Sequence, residues 1–195
     1  MKDISNNDKK PSVILGIDPG TRFMGFALIR REKNTVKIIE MGSLILSKIE
    51  DPYERLSRIH EKITALAQLH QPEAFAIEAP FYGKNVQSML KLGRAQGAAL
   101  AAALQAGLKA QEYSPRKVKK AVTGNGNASK EQVSEMVGHI VKNKPKMERK
   151  NLDATDALAV AICHHLQLQS GIAGLGDQPK DWKAFIKKHP DKIKR

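Results

Sequence analysis

One cysteine, Cys163, is all the thiol that 195 residues contain. No disulfide can form within the chain, and the composition suits a reducing compartment. Cys163 closes the apolar run Ala157-Leu158-Ala159-Val160-Ala161-Ile162, where inert core packing explains it better than reactivity. No apolar run reaches the ~18 residues of a membrane span. The first ten residues are polar and lack the apolar centre of a signal peptide, so the cytoplasm is the expected address and no membrane partner is expected. Neither histidine nor cysteine clusters at zinc-ligand spacing, and no internal repeat is visible. Acidic residues are scarce beside basic ones, 20 against 33, for a net charge of +13. A polyanionic partner follows, most commonly nucleic acid, with an anionic membrane surface or an acidic protein as alternatives. The excess is uneven: residues 115–150 hold ten basic and three acidic side chains, and residues 176–195 hold seven and three.

The length suits one domain with a true core and a tail. Residues 13–17 read as a strand stopped by Pro19-Gly20. Residues 23–31 and 36–46 alternate as two antiparallel partners, joined around Lys33-Asn34. Leu56, Ile59, Ile63 and Leu66 give residues 53–70 a helical stripe that Pro72 ends. Residues 74–77 form a short buried strand with Glu78 at its exit. Residues 85–108 read as a long helix whose core face is Met89, Leu92, Leu100 and Leu104. Gly93 and Gly97, four apart on it, permit close backbone approach, inside the domain by preference or across a dimer seam. A fifth strand at 110–113 and a helix from Pro115 to residue 122 follow. After the Gly124-Asn125-Gly126-Asn127 loop comes a helix at 129–141, then a polar, basic loop at 142–150 read as mobile. A last helix, capped by Asn151, reaches residue 167. The expected division is a polar extension at 1–10, one domain at 11–169, and a basic tail at 170–195. In the tail Trp182, Phe185 and Ile186 mark either a short amphipathic helix or a disordered segment.

Four carboxylates stand in apolar settings. Asp18 ends Val13-Ile14-Leu15-Gly16-Ile17, Glu78 ends Ala74-Phe75-Ala76-Ile77, and Asp153 and Asp156 open the last, apolar helix. Each has a plain alternative: Asp-Pro-Gly is turn chemistry, and acids suit a first helical turn. Glu78 is harder to explain that way. Burying a carboxylate without a partner is expensive, and residues three apart on a helix share a face. Together the four suggest a metal site. Oxygen ligands alone favour Mg²⁺, with Mn²⁺ as a substitute, over zinc. His164 and His165 come too late on the helix to join Asp153. Two ions roughly 3.5–4 Å apart would suit phosphodiester hydrolysis, and the basic surface would grip phosphates.

These residues resemble a known family. Gly16-Ile17-Asp18-Pro19-Gly20-Thr21, Gly25-Phe26-Ala27, Ala76-Ile77-Glu78 with Phe81 and Lys84-Asn85, Met89-Leu90-Lys91-Leu92-Gly93, and Asp153-Ala154-Thr155-Asp156-Ala157-Leu158-Ala159 look like the RuvC crossover junction endodeoxyribonucleases, in order across residues 13–168. The resemblance implies an α/β, RNase H-like fold with a mixed five-stranded sheet flanked by helices. It further implies a homodimer that nicks two like-polarity strands of a four-way (Holliday) junction, using Mg²⁺ held by Asp18, Glu78, Asp153 and Asp156, two ions per site. A branch-migration motor is the implied partner complex. Phe81, helped by Tyr82, would stack on unpaired bases, although core packing is the reading without the family. Lys119 and Lys130 match lysines near the active site, with Lys130 also assigned to catalysis. Arg116, Lys117 and Lys120 are further candidate DNA contacts, with solvated charge as the alternative. Ala79-Pro80 departs from the Gln-Val pair of better-known members and leaves the shape of the junction-probing loop open.

Two rivals share the residues. Asp-Pro-Gly-Thr after a strand also resembles the phosphate-gripping turn of actin-like and sugar kinases, but 195 residues leave no room for their second lobe. A junction-binding protein without catalysis would show no metal-dependent nicking.

Overall fold

Side-chain alternation along the strands decides what lies on each side of the sheet. The computed structural model describes residues 12–32, 35–80, 85–143 and 152–169. In β1 (Val13–Asp18) Leu15 and Ile17 point to one face, and Ile14, Gly16 and Asp18 to the other. β4 (Ala74–Glu78) repeats the pattern, with Phe75 and Ile77 opposite Ala76 and Glu78. The two carboxylates therefore share a face.

The strand order is β3-β2-β1-β4-β5. β2 (Phe23–Glu32) and β3 (Thr35–Ile45) extend the sheet antiparallel from β1. β4 and β5 (Lys109–Tyr113) run parallel on its other side. This is the mixed five-stranded sheet that the family resemblance implies.

On the Leu15 face lie α1 (Pro52–His70) and α2 (Val86–Gln105). Asp51 caps α1 by accepting from the Tyr53 N–H, and the expected Ile59, Ile63 and Leu66 are buried. Asn85 caps α2 by accepting from the Ser88 N–H. On the Asp18 face lie α3 (Pro115–Thr123), α4 (Lys130–Ile140) and α5 (Leu152–Gln169). Ser129 and Gln132 close a capping box at α4. From Ala154 to His165 almost every residue of α5 is buried, since the sheet covers one side and α3 and α4 the other. Cys163 is buried there, and burial pushes its thiol up to about 12, consistent with packing.

Three expectations need correction. α2 ends at Gln105 rather than at residue 108, where Gly107 turns the chain with φ 77°. Its buried face is Ala95, Gln96, Ala99, Ala102 and Ala103, with the expected Leu100 partly buried against the same core, whereas Leu104 is 60% exposed. Small side chains let α2 approach α1 closely, and that outweighs burial of the larger leucine. A Cβ on Gly93 or Gly97 would meet nothing within 4 Å, so neither glycine serves internal packing.

The first residues of the basic loop are also anchored. Val141 bridges to Val36, and the Lys142 N–H donates to the Val36 carbonyl. Asn143 Oδ1 accepts from the Ile38 N–H at 2.8 Å, while its Nδ2 donates to the Ile38 carbonyl at 2.9 Å. Lys142 Nζ reaches Glu32 Oε2 at 2.6 Å. The segment covers part of the β3 edge, which would otherwise offer open backbone groups. Residues 144–151, including the expected Asn151 cap, and the 1–10 and 170–195 segments lie outside the described residues. Replacing Asn143 with Ala should lower unfolding free energy by about 1 kcal/mol, read by urea denaturation; an unchanged midpoint and slope would mean water replaces both bonds at no cost.

Candidate active site

The strand register sets two acids side by side. Ile17 pairs with Ile77 across β1 and β4, and Asp18 and Glu78 each follow by one residue. Neighbouring strands run about 4.8 Å apart, so the two carboxyls leave adjacent backbones on the same face. The Ala79 N–H donates to the Tyr113 carbonyl at 2.8 Å, which fixes the chain just past Glu78.

The other two acids arrive with α5, and glycine lets them. A Cβ on Gly16 would stand 2.5 Å from the Ala157 carbonyl oxygen and 2.7 Å from Ala161 Cβ. One on Gly25, which pairs with Asp18 across β1 and β2, would overlap the Asp153 carbonyl. The first turns of α5 thus lie on the strand end that carries Asp18. Sequence reasoning found Gly16 and Gly25 only as parts of family motifs and gave them no role. A glycine inside an otherwise bulky strand was the available sign of close approach.

A cavity of about 280 Å³ opens at this end, lined by Asp18, Glu78, Asp156, Lys119 and Lys130 among others. Asp153 stands outside that lining, yet its charge acts on both Asp18 and Lys130. Lys130 Nζ donates to Asp156 Oδ2 at 2.8 Å, and this bond holds the ammonium above its usual pKa. Burial first, then the charges of Glu78, Asp156 and Asp153, raise the Asp18 carboxyl to about 8 against the pull of Lys130. Burial and Asp156 raise Glu78 to about 7, opposed by Lys130 and Lys119.

Arg116, Lys117 and Lys120 do not line the cavity. Lys117 Nζ lies 5.3 Å from the Tyr113 ring centroid, a cation–π contact. Phe81 and Tyr82 lie outside the described residues. His164 and His165 are buried deeper along α5, where His164 Nδ1 meets the Tyr113 hydroxyl at 2.7 Å and burial lowers its pKa to about 4.

Does a divalent cation fit? Among the described residues no three acids, imidazoles or thiols already stand as a closed ligand set, and Asp156 is held by Lys130. The donors are nevertheless all hard oxygens. Two of them are buried with less positive charge nearby than their own charges require, and this lack is what a divalent ion would supply. The residues fit the group.

A mixed sheet of this order, with carboxylates at adjacent central strand ends and on a helix crossing them, defines an RNase H-like nuclease. The family described as crossover junction endodeoxyribonuclease RuvC matches residues 14–164, and the chain belongs to that family. It is 46% identical over 186 residues to the RuvC of Porphyromonas gingivalis, covering 95% of this chain and 98% of the other. It is 51% identical to the RuvC of Christiangramia forsetii, covering 95% of each. The Thermus thermophilus RuvC solved in complex with a Holliday junction substrate superposes with a TM-score of 0.71 at 31% identity, covering 83% of this chain and 97% of that one.

The raised carboxyls have a consequence for stability in a chelator. Between pH ~4 and ~8 the folded chain keeps a proton on Asp18 that the unfolded chain has released, so this group's contribution falls as pH rises. His164 works the other way between its lowered value and the ordinary one, so the readout is a difference between variants. Asp18→Asn should gain melting temperature over the parent progressively from pH 5 to pH 8 in EDTA. A pH-independent difference would contradict the burial argument.

Proposed function

We propose that this chain resolves four-way DNA junctions by hydrolysing one phosphodiester in each of two like-polarity strands. The observation that carries the reading is the convergence of Asp18, Glu78 and Asp156 on one cavity with Lys119 and Lys130 at its wall and Asp153 beside it. Asp18, Glu78, Asp153 and Asp156 would hold Mg²⁺, two ions per site, with Mn²⁺ as a substitute. Bound ions would supply Lewis acidity that activates a water and neutralises the leaving oxygen. Lys130, drawn to Asp156 in this structure, would turn toward the scissile phosphate, and Lys119 would fix the strand from the α3 side. Phe81 and Tyr82 are retained as base-stacking contacts, and Arg116, Lys117 and Lys120 as outlying phosphate contacts. The branch-migration motor rests on the family resemblance.

Homodimerisation has a further support. Val86, Leu90, Gly93, Gly97, Ala101 and Leu104 recur at three- and four-residue spacing along the side of α2 turned away from its buried alanines, and all are exposed. Such a stripe suits a second copy related by a two-fold axis, which would place two sites on a two-fold junction.

Asp18→Asn should lower nicking of a synthetic four-way junction in Mg²⁺ by about a hundredfold or more while keeping junction affinity. Retained cutting, seen on a denaturing gel, would remove Asp18 from the mechanism. Leu90→Glu should shift sedimentation from dimer to monomer and uncouple the two nicks. A variant that sediments unchanged would clear α2 of the interface.

A further inference from the structure

A second cavity, about 290 Å³, lies across the sheet from the acids, between the first turn of α1 and the α2 surface. Its wall carries Tyr53, Arg55, Lys91 and Arg94, with Glu50 as the one acid among the described residues that line it. Buried Leu46 and Ile59 form an apolar floor, and Tyr53 is 71% exposed. Arg55 is already positioned: its Nε donates to the Ile49 carbonyl at 2.7 Å, and a terminal nitrogen donates to the Thr21 carbonyl at 3.4 Å. Among the described residues neither Lys91 nor Arg94 has an ion-pair partner.

Three cations around a concavity, with an aromatic ring at its lip and an apolar floor, match one nucleotide unit of a strand: a phosphate for the cations, a sugar and base for the ring and floor. Thr21, which lines the groove, follows Asp18 by three residues, so the acid cavity and the groove flank one turn from opposite faces of the sheet. A strand lying in the acid cavity cannot also cross the sheet. At a four-way junction, however, neighbouring strands diverge, and one of them is available to the second face. We propose that the Arg55–Lys91–Arg94 groove binds a backbone phosphate of the junction strand that diverges from the one at the acids. This rests on the reading of the chain as a junction nuclease.

The test measures anisotropy of a labelled four-way junction in EDTA across a salt series, for the parent chain, Lys91→Gln/Arg94→Gln and Lys109→Gln. Lys109 is an exposed cation at the opposite end of β5 from the acids and controls for loss of charge alone. The double variant should raise Kd about tenfold or more and reduce the log–log salt slope by about 0.9, the value for one lost phosphate contact. Lys109→Gln should stay within about twofold of the parent. Tyr53→Leu should add a loss of affinity without a change of slope. A double variant with parental Kd and slope overturns the proposal, as does an equal loss in Lys109→Gln. Thymidine monophosphate is titrated calorimetrically in parallel. Saturable binding that the double variant loses, with junction binding unchanged, would reassign the groove to a free nucleotide. Failure of the parent chain to nick junctions in Mg²⁺ would sink the nuclease reading separately, because the groove is judged from binding alone.

Discussion

The seat of α5 on the sheet is the contact on which the site depends. Asp18 and Glu78 reach their positions through strand register, but two adjacent buried carboxyls are a cost that Lys130, and Lys119 at Glu78, only partly offset. What makes them part of a larger set is the helix that crosses them, bringing Asp156 to the cavity wall and Asp153 alongside. That crossing is possible because two residues under it have no side chain. At Gly16 and Gly25 any Cβ would strike the helix backbone, so even alanine would lift α5 from the strand end. The same helix carries the core of this face, from Ala154 to His165. Site geometry and core packing are therefore a single constraint.

Sequence reading recovered what local patterns encode. Apolar runs ending at Asp18 and Glu78 gave two strands with an acid at the end of each, and the helix starts read at residues 85 and 129 fall within one residue of α2 and α4. Where it went astray, the deciding partner was remote. Asn143 looks like loop material until Ile38, 105 residues earlier, is seen to need both of its bonds. Leu104 looks like core because leucine usually is, yet α1 selects the alanine face of α2. Gly93 and Gly97, four apart on a helix, suggested close packing that the structure does not show, whereas Gly16 and Gly25, single glycines in two strands, do lie beneath another backbone.

Charge was legible in amount but not in placement. Lys119 and Lys130 reach the acid cavity, whereas Lys117, in the same basic run, lies against the Tyr113 ring. Sequence proximity to a site lysine is a poor guide on a helix, where a step of two residues turns a side chain to the far side.

The distribution of cations bears on the order of events. On the proposed reading a phosphate would meet repulsion from the charged carboxyls, while Lys130 is engaged by Asp156 in this structure. The raised Asp18 and Glu78 carboxyls soften the repulsion near neutral pH by holding protons, but a protonated carboxyl is a poor ligand for a divalent ion. Attraction in that state must come from cations away from the acids, and the chain's net charge of +13 supplies it at long range. In the proposed reading Asp18, Glu78, Asp153 and Asp156 would hold divalent ions whose charge offsets their own, which would leave Lys130 available to a phosphate. On the proposed reading, grip and hydrolysis draw on different charges.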